Sequence, residues 1–206
     1  MVNLIQCGVG NVGSLCKAVE TLGYPIKIVK NDKDFDLSSK KIIMPGVGSF
    51  DAFVESLKDK NLFGMIKNLV LKDKFYLLGI CVGMQVLFSK SEEGHLDGLG
   101  LLSGEVIKFK QTNNKILKVP HMGWNLLNFR QKNNIFYCEN KRFYFAHSFH
   151  AKCEEDNIVS ESSHTVNFPS IVSNNKNIIG FQFHPEKSYK SGLDLLNKFI
   201  KLDDQT

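Results

Sequence analysis

Cys81 stands in the run Phe75-Tyr76-Leu77-Leu78-Gly79-Ile80-Cys81-Val82-Gly83-Met84-Gln85-Val86-Leu87-Phe88. An apolar, strand-like stretch leads straight into Gly79-Ile80-Cys81-Val82-Gly83, and a helix-like stretch follows. This is the spacing of a nucleophile elbow, with cysteine in the position more often held by serine. The two glycines allow a sharp turn that pushes the thiol out of the sheet. A helix beginning beneath the sulfur would favour thiolate over thiol. A free cysteine more often ends as a small buried hydrophobe, but flanking glycines are a poor choice for a plain core position.

A second cluster lies near the C-terminus, in Gly180-Phe181-Gln182-Phe183-His184-Pro185-Glu186-Lys187-Ser188. A strand through 178–184, ended by Pro185, would leave His184 and Glu186 two residues apart and on one side. A carboxylate beside an imidazole fixes its tautomer and stabilises the imidazolium. Cysteine chemistry needs a partner that holds the thiolate and later returns a proton to a leaving group. Cys81, His184 and Glu186 supply nucleophile, base and orienting acid in that order.

Acyl chemistry also needs donors for a developing oxyanion. The amide of Val82, directly after the nucleophile, is one candidate. The turn Pro45-Gly46-Val47-Gly48, directly after an apolar strand, is the second. In a parallel sheet this turn opens at the same edge as Cys81.

The elements that must hold these groups read as alternating strand and helix in the first half. Strands are expected at Val2–Cys7, Pro25–Val29, Lys41–Met44 and Phe75–Ile80. A helix is expected near Ser14–Leu22, and helical spacing runs from Phe50 to Leu71 with a break near Asn61 or Gly64. That order implies an α/β fold with a mostly parallel, doubly wound sheet flanked by helices, a three-layer flavodoxin-like arrangement. In the second half Leu101–Phe109, Asn134–Cys138, Phe143–Ala151, Thr165–Ser173 and Ile178–Phe183 read as strands between polar turns, among them Thr112-Asn113-Asn114. They suggest an added antiparallel layer. A last amphipathic helix, near Tyr189–Leu202, would turn Leu193, Leu196, Phe199 and Ile200 inward. The polar, glycine-rich stretch 91–100 reads as a loop with room to move. No repeat or long linker divides the 206 residues, which suit one domain over 1–206.

Composition narrows the function. The net charge of +5 is carried almost wholly by scattered lysines, with arginine only at positions 130 and 142. Clustered basic residues with base-reading arginines are absent, which argues against nucleic acid as a partner. No apolar run is long enough to span a bilayer, and no basic segment precedes an apolar one at the N-terminus. Membrane partners and a secretory signal are not expected. The five cysteines (7, 16, 81, 138 and 153) are odd in number and none are spaced C-x-x-C, which argues against a disulfide framework or zinc ribbon and for the reducing cytoplasm. No metal or cofactor is expected. Gly8-Val9-Gly10-Asn11-Val12-Gly13 does spell a dinucleotide fingerprint, with Asp32 near the place of a ribose-binding acid. Asp32 sits in a polar loop, however, and a tight turn with close helix packing needs the same glycines.

These pieces together resemble the class I (triad) glutamine amidotransferases, and within them the glutaminase subunits of imidazole glycerol phosphate synthase. The resemblance covers nearly the whole chain. Its markers are the 8–15 glycine run, Pro45-Gly46-Val47-Gly48-Ser49-Phe50, Gly79–Gln85, Ser91-Glu92-Glu93-Gly94, Val119-Pro120-His121-Met122-Gly123-Trp124-Asn125, His147-Ser148 and Gln182–Ser188. It implies that Cys81 attacks the side-chain amide of L-glutamine and forms a glutamyl thioester, with Val82, Val47 and Gly48 as oxyanion donors. It places Gln85, Ser148 and Gly46 at the glutamine. It further implies a heterodimer with a (β/α)8-barrel cyclase that uses the ammonia, docked through Asn11, Trp124 and Lys187. Trp124, flanked by Gly123 and Asn125, looks polar and loop-like, and exposed tryptophans favour interfaces.

The chain departs from the usual pattern at Cys7, Val82, Ala146 and Phe149-His150, none of which belongs to the triad. These departures fit a diverged member, and one alternative fate for the ammonia is surface-sugar modification. Three rivals are an inactive scaffold, a stand-alone cysteine hydrolase, and a metal enzyme using His147 and His150. The last pair lies three apart on an expected strand, on opposite faces.

Overall fold

The computed structural model describes residues 1–7, 12–72, 75–110 and 118–202. In chain order the elements are β1 (Val2–Ile5), α1 (Gly13–Thr21), β2 (Ile26–Val29), β3 (Lys41–Gly46), α2 (Phe50–Asp59), α3 (Leu62–Leu71), β4 (Tyr76–Cys81), α4 (Val82–Gln85), β5 (Lys90–Ser91), β6 (Gly104–Lys108), β7 (His121–Leu126), β8 (Asn128–Phe129), β9 (Arg142–His147), β10 (Phe149–Cys153), β11 (Ile158–Ser163), β12 (Asn167–Ser173), β13 (Ile178–Phe181) and α5 (Tyr189–Ile200).

An eight-stranded sheet runs in the order β2-β1-β3-β4-β13-β12-β11-β8. The strands from β2 to β13 are parallel, and β12, β11 and β8 continue the same sheet antiparallel. The expected α/β class with an antiparallel addition is therefore present, although most of the addition extends the main sheet. Two smaller pieces stand beside it: β10-β6-β5 and the two-stranded ribbon β7-β9. The central strands β1 and β13 are buried at every residue, as a sheet covered on both faces requires.

Insertion of β13 next to β4 decides where the site forms. The register pairs Gly180 with Gly79 and Phe181 with Ile80, so the residues after both strands emerge side by side. β3 lies on the other flank of β4, with Gly46 paired to Cys81. Three loops thus open together at one carboxyl edge, where open parallel sheets bind ligands.

The break expected near Asn61 or Gly64 falls at Asn61, whose φ of 58° lies in the left-handed region that asparagine tolerates better than most residues. Sequence reading and structure differ at several other elements. The 134–138 stretch is a turn: the Asn134 side chain accepts from the amide of Phe136, offering the backbone an alternative to a ladder. The expected strand 143–151 is two strands interrupted at Ser148. The loop 91–100 is pinned, because the Asp51 carboxylate accepts from the amides of His95 at 2.9 Å and Leu96 at 3.1 Å. Those bonds hold the Asp51 pKa below its ordinary value. Among the described residues no helix is long and apolar enough to cross a membrane. The turn expected at 112–114 lies outside the described residues.

Candidate active site

Cys81 closes β4 with φ 55° and ψ −111°. A side chain rarely adopts that backbone, and the strain marks an elbow. The glycines on either side make it possible. A Cβ on Gly83 would overlap the Met44 carbonyl, and one on Gly79 would meet the Gly83 carbonyl oxygen at 2.5 Å. The helix that follows is a single turn, 82–85, shorter than the sequence suggests. Its continuation is diverted because the carbonyls of Val86 and Leu87 accept from Leu99 and Leu101 of the next loop, each at 2.8 Å. A one-turn helix contributes little dipole, so the sulfur depends on a neighbouring cation. The amide of Val82 is still a first-turn donor with no partner inside the helix.

That cation is His184. β13 ends at Phe181, earlier than the expected strand, and His184 bridges to Tyr144 of β9 before a 3-10 turn at Pro185–Lys187. The turn folds Glu186 back, so its Oε1 lies 2.9 Å from Nδ1 of His184. Nε2 is left for Cys81. Burial is the largest influence on His184 and works to lower its pKa. The charge and hydrogen bond of Cys81, then the hydrogen bond and charge of Glu186, outweigh it and raise the pKa to about 10. An imidazolium beside Cys81, with its proton held toward the sulfur, is what a cysteine nucleophile requires.

In front of Cys81 lies a cavity of about 210 Å3, walled by Gly48, Cys81, Val82, Gln85, Glu93, Pro120, Met122, Ala146, His147, Ser148 and Phe149. It falls below the roughly 300–1,000 Å3 of drug-sized sites and suits an amino acid. Gln85, Ser148, Val82 and Gly48 are therefore brought together around the sulfur. Gly46 lies beneath the elbow and, with Val47, walls a second, smaller cavity shared with His184 and Glu186. Trp124 lies on strand β7 and not in the loop expected; it is nonetheless 42 % exposed and stacks on Tyr189, with centroids 5.2 Å apart. Lys187 is exposed, with Nζ over the Tyr144 ring. Asn11 lies outside the described residues. His147 and His150 do not point apart as expected: the break at Ser148 lets both rings pack on Phe109, at 5.2 and 4.5 Å.

Glu93 is a wall residue that sequence reasoning left without a role, although it lies within a marker motif. One carboxylate oxygen caps α2, accepting from the Phe50 amide at 2.8 Å. The side chain thereby brings a negative charge to the cavity. Its signal in the sequence was two adjacent acids, Glu92-Glu93, directly before a glycine. Only the fold tells which acid faces inward.

A parallel sheet with an elbow cysteine, an imidazolium and an orienting carboxylate at one edge defines a cysteine amidohydrolase of the triad type. The chain belongs to the glutamine amidotransferase class-I family, whose pattern matches residues 3–202. It is 43 % identical over 204 residues to imidazole glycerol phosphate synthase subunit HisH 2 of Methanococcus maripaludis, covering 98 % of this chain and 99 % of that one. It is 41 % identical over 206 residues to subunit HisH of Leptospira interrogans, covering 98 % and 100 %. Among solved structures, a glutamine amidotransferase superposes with a TM-score of 0.77 at 17 % identity, over 99 % of this chain and 100 % of that one, a likeness of fold.

Proposed function

We propose that this chain is the glutaminase subunit of an imidazole glycerol phosphate synthase in histidine biosynthesis, hydrolysing L-glutamine to glutamate and ammonia. The observation that carries the reading is the Cys81–His184–Glu186 arrangement facing a cavity of amino-acid size. The Cys81 sulfur bonds to the glutamine carboxamide carbon. The carbonyl oxygen takes negative charge, received by the Val82 amide and by the turn at Val47 and Gly48. The C–N bond then breaks as Nε2 of His184 gives its proton to the leaving nitrogen, which departs as ammonia. Water, deprotonated by the same Nε2, attacks the thioester and returns glutamate and the thiolate. Glu186 holds the ring in register through both steps. The Glu93 carboxylate suits the α-ammonium, and Gln85 and Ser148 supply polar contacts.

Released into water near neutral pH, ammonia would mostly be protonated and lose its nucleophilicity. A docked partner that accepts it directly solves that problem, and a (β/α)8-barrel cyclase in a heterodimer is the partner proposed. Met122, Trp124, Leu126 and Tyr189, respectively 64, 42, 39 and 79 % exposed, form an apolar face for it. Lys187 lies beside that face, and Asn11 is assigned to it by resemblance. The five free cysteines suit the reducing cytoplasm. The test is glutamate release from glutamine by the chain mixed with the barrel subunit. Wild type should turn over and Cys81→Ala should not; equal release by both would end the reading. A stand-alone hydrolase would turn over equally without the barrel.

A further inference from the structure

The mechanism uses His184 alone, yet four of the chain's six histidines, His121, His147, His150 and His164, gather around Phe109. Two of them join the glutamine cavity to the exposed apolar face. In the ribbon of β7 and β9, His121 pairs with His147 and Trp124 with Tyr144. Alternation puts the two histidines on the inner face with Asn125, while Met122, Trp124 and Leu126 occupy the outer face.

The proton on each ring is set by a terminal acceptor. The Phe149 carbonyl can only accept, and Nδ1 of His147 lies 2.7 Å from it, so Nδ1 carries the proton. Burial lowers the His147 pKa to about 3, against the pull of that bond, so the ring is neutral and Nε2 holds a lone pair. Nδ1 of His121, 3.1 Å away, must then donate to it. His121 is lowered to about 4 by burial and then by His164, stacked on it at 4.4 Å, so its own Nε2 accepts from Asn125 Nδ2 at 3.3 Å. The remaining groups near the cluster are His150 and Glu92, whose charge acts on His150. Asn125 is fixed in turn by its bond to the Ser163 carbonyl at 2.8 Å.

The same Phe149 carbonyl accepts a second bond, from Gln85 Nε2 at 3.0 Å, and the Gln85 amide also donates to Gln182 Oε1 at 3.3 Å. With both amide protons engaged, Gln85 has its carbonyl oxygen to offer to the cavity. We propose that His147 and His121 are positioning residues: the directed chain from Asn125 through both rings to the Phe149 carbonyl fixes the cavity wall at 146–149. It thereby holds the Gln85 amide with its acceptor oxygen toward the α-ammonium of glutamine. The chain starts on the residue next to Trp124, so the strand bearing the exposed face and the wall of the cavity are mechanically one piece. The role given to Gln85 rests on the glutaminase reading; the proton directions do not.

Two measurements test this. The first uses the full chain with 15N-labelled histidine, observed by long-range proton–nitrogen correlation and assigned with His147→Asn and His121→Asn. Both rings should be neutral and protonated on Nδ1 between about pH 5 and 8, not titrating near the ordinary value of about 6.5. A proton on Nε2 of either ring, or titration near that value, overturns the chain. The second is glutamine kinetics with the barrel partner. Asparagine at 147 places its amide near the Nδ1 position and still donates to Phe149; glutamine places it near Nε2 and does not. His147→Gln should show a KM about three- to tenfold above that of His147→Asn, with kcat of the two variants within about twofold of each other. Equal KM in the two variants overturns the positioning role. Absence of turnover in wild type would remove the glutaminase reading and the Gln85 role with it, while the tautomer measurement would still decide the chain.

Discussion

Gly46 pairs with Cys81 across the parallel ladder of β3 and β4 so closely that a methyl group on Gly46 would overlap the amide nitrogen of Gly83. The turn bearing Val47 and Gly48 and the elbow bearing the nucleophile are thus fitted to each other, one against the backbone of the other. Gly46→Ala should cost about 1–3 kcal/mol, the usual penalty for overpacking a tight contact, and should lower glutamine turnover because the elbow must shift. Urea unfolding and steady-state kinetics check this; an unchanged midpoint would contradict the contact.

Cys81 carries backbone strain for the sake of its sulfur. Cys81→Gly and Cys81→Ala both remove the nucleophile, but only glycine relieves φ 55°. Both should be inactive, and the glycine variant should be the more stable by about 1 kcal/mol, the difference between strain released and the extra freedom of unfolded glycine. Chemical denaturation of the two variants side by side measures this.

Glu93 brings its carboxylate to the cavity while one oxygen caps α2. Glu93→Gln keeps the shape and removes the charge. KM for glutamine should rise about ten- to a hundredfold, the worth of a charge-assisted bond, with kcat changed less than about threefold. A comparable fall in kcat with KM unchanged would assign Glu93 to the chemistry and not to binding.

Stability should fall on both sides of neutral pH, for opposite reasons. His184 has a folded pKa of about 10, above its ordinary value. Its contribution is fully present below about pH 6.5 and is lost as pH rises toward 10, because the folded state holds the extra proton. His121 and His147, lowered to about 4 and about 3, act in reverse. Below about pH 6.5 the unfolded state binds protons that the folded state refuses, so stability falls as pH drops toward 4 and 3. Glu186→Gln should flatten the alkaline limb and His147→Asn the acid limb, each by up to about 1.4 kcal/mol per pH unit. Urea unfolding from pH 4 to about pH 10 reads both slopes.

Trp124 and Tyr189 stack nearly parallel, at an interplanar angle of 10°, while both remain open to solvent. In the proposed assembly this pair is the anchor for the partner surface. Trp124→Ala should weaken binding to the proposed barrel subunit by at least about 2 kcal/mol, roughly thirtyfold, with little change in the unfolding midpoint. Calorimetric titration measures the first and denaturation the second; equal affinity would move the interface elsewhere.

Local chemistry was legible wherever it is set by neighbours in the chain. The elbow needs glycine at 79 and 83 because backbone passes within contact there. Glu186 reaches His184 because they are two residues apart, and this survived the early end of β13. Strands with polar composition were not legible. Ile158–Ser163 carries four polar residues in six yet is a strand, because it pairs with β12 and β8 and its serines find partners such as Ser170 and the Leu126 carbonyl. The His121–His147 chain was equally hidden, since it depends on a register between strands whose nearest ends, Leu126 and Arg142, are far apart in the chain.

The sequence by itself determined what reacts: a cysteine on a strained turn, an imidazole with its carboxylate, and an apolar periodicity that makes a parallel sheet. Tertiary structure alone decided that position 184 meets position 81, because β13 inserts beside β4 and no local pattern encodes that pairing. It also decided which acid of Glu92-Glu93 faces the cavity and which face of β7 meets solvent. Those choices are made by long-range burial and hydrogen bonding, whose partners lie far off along the chain.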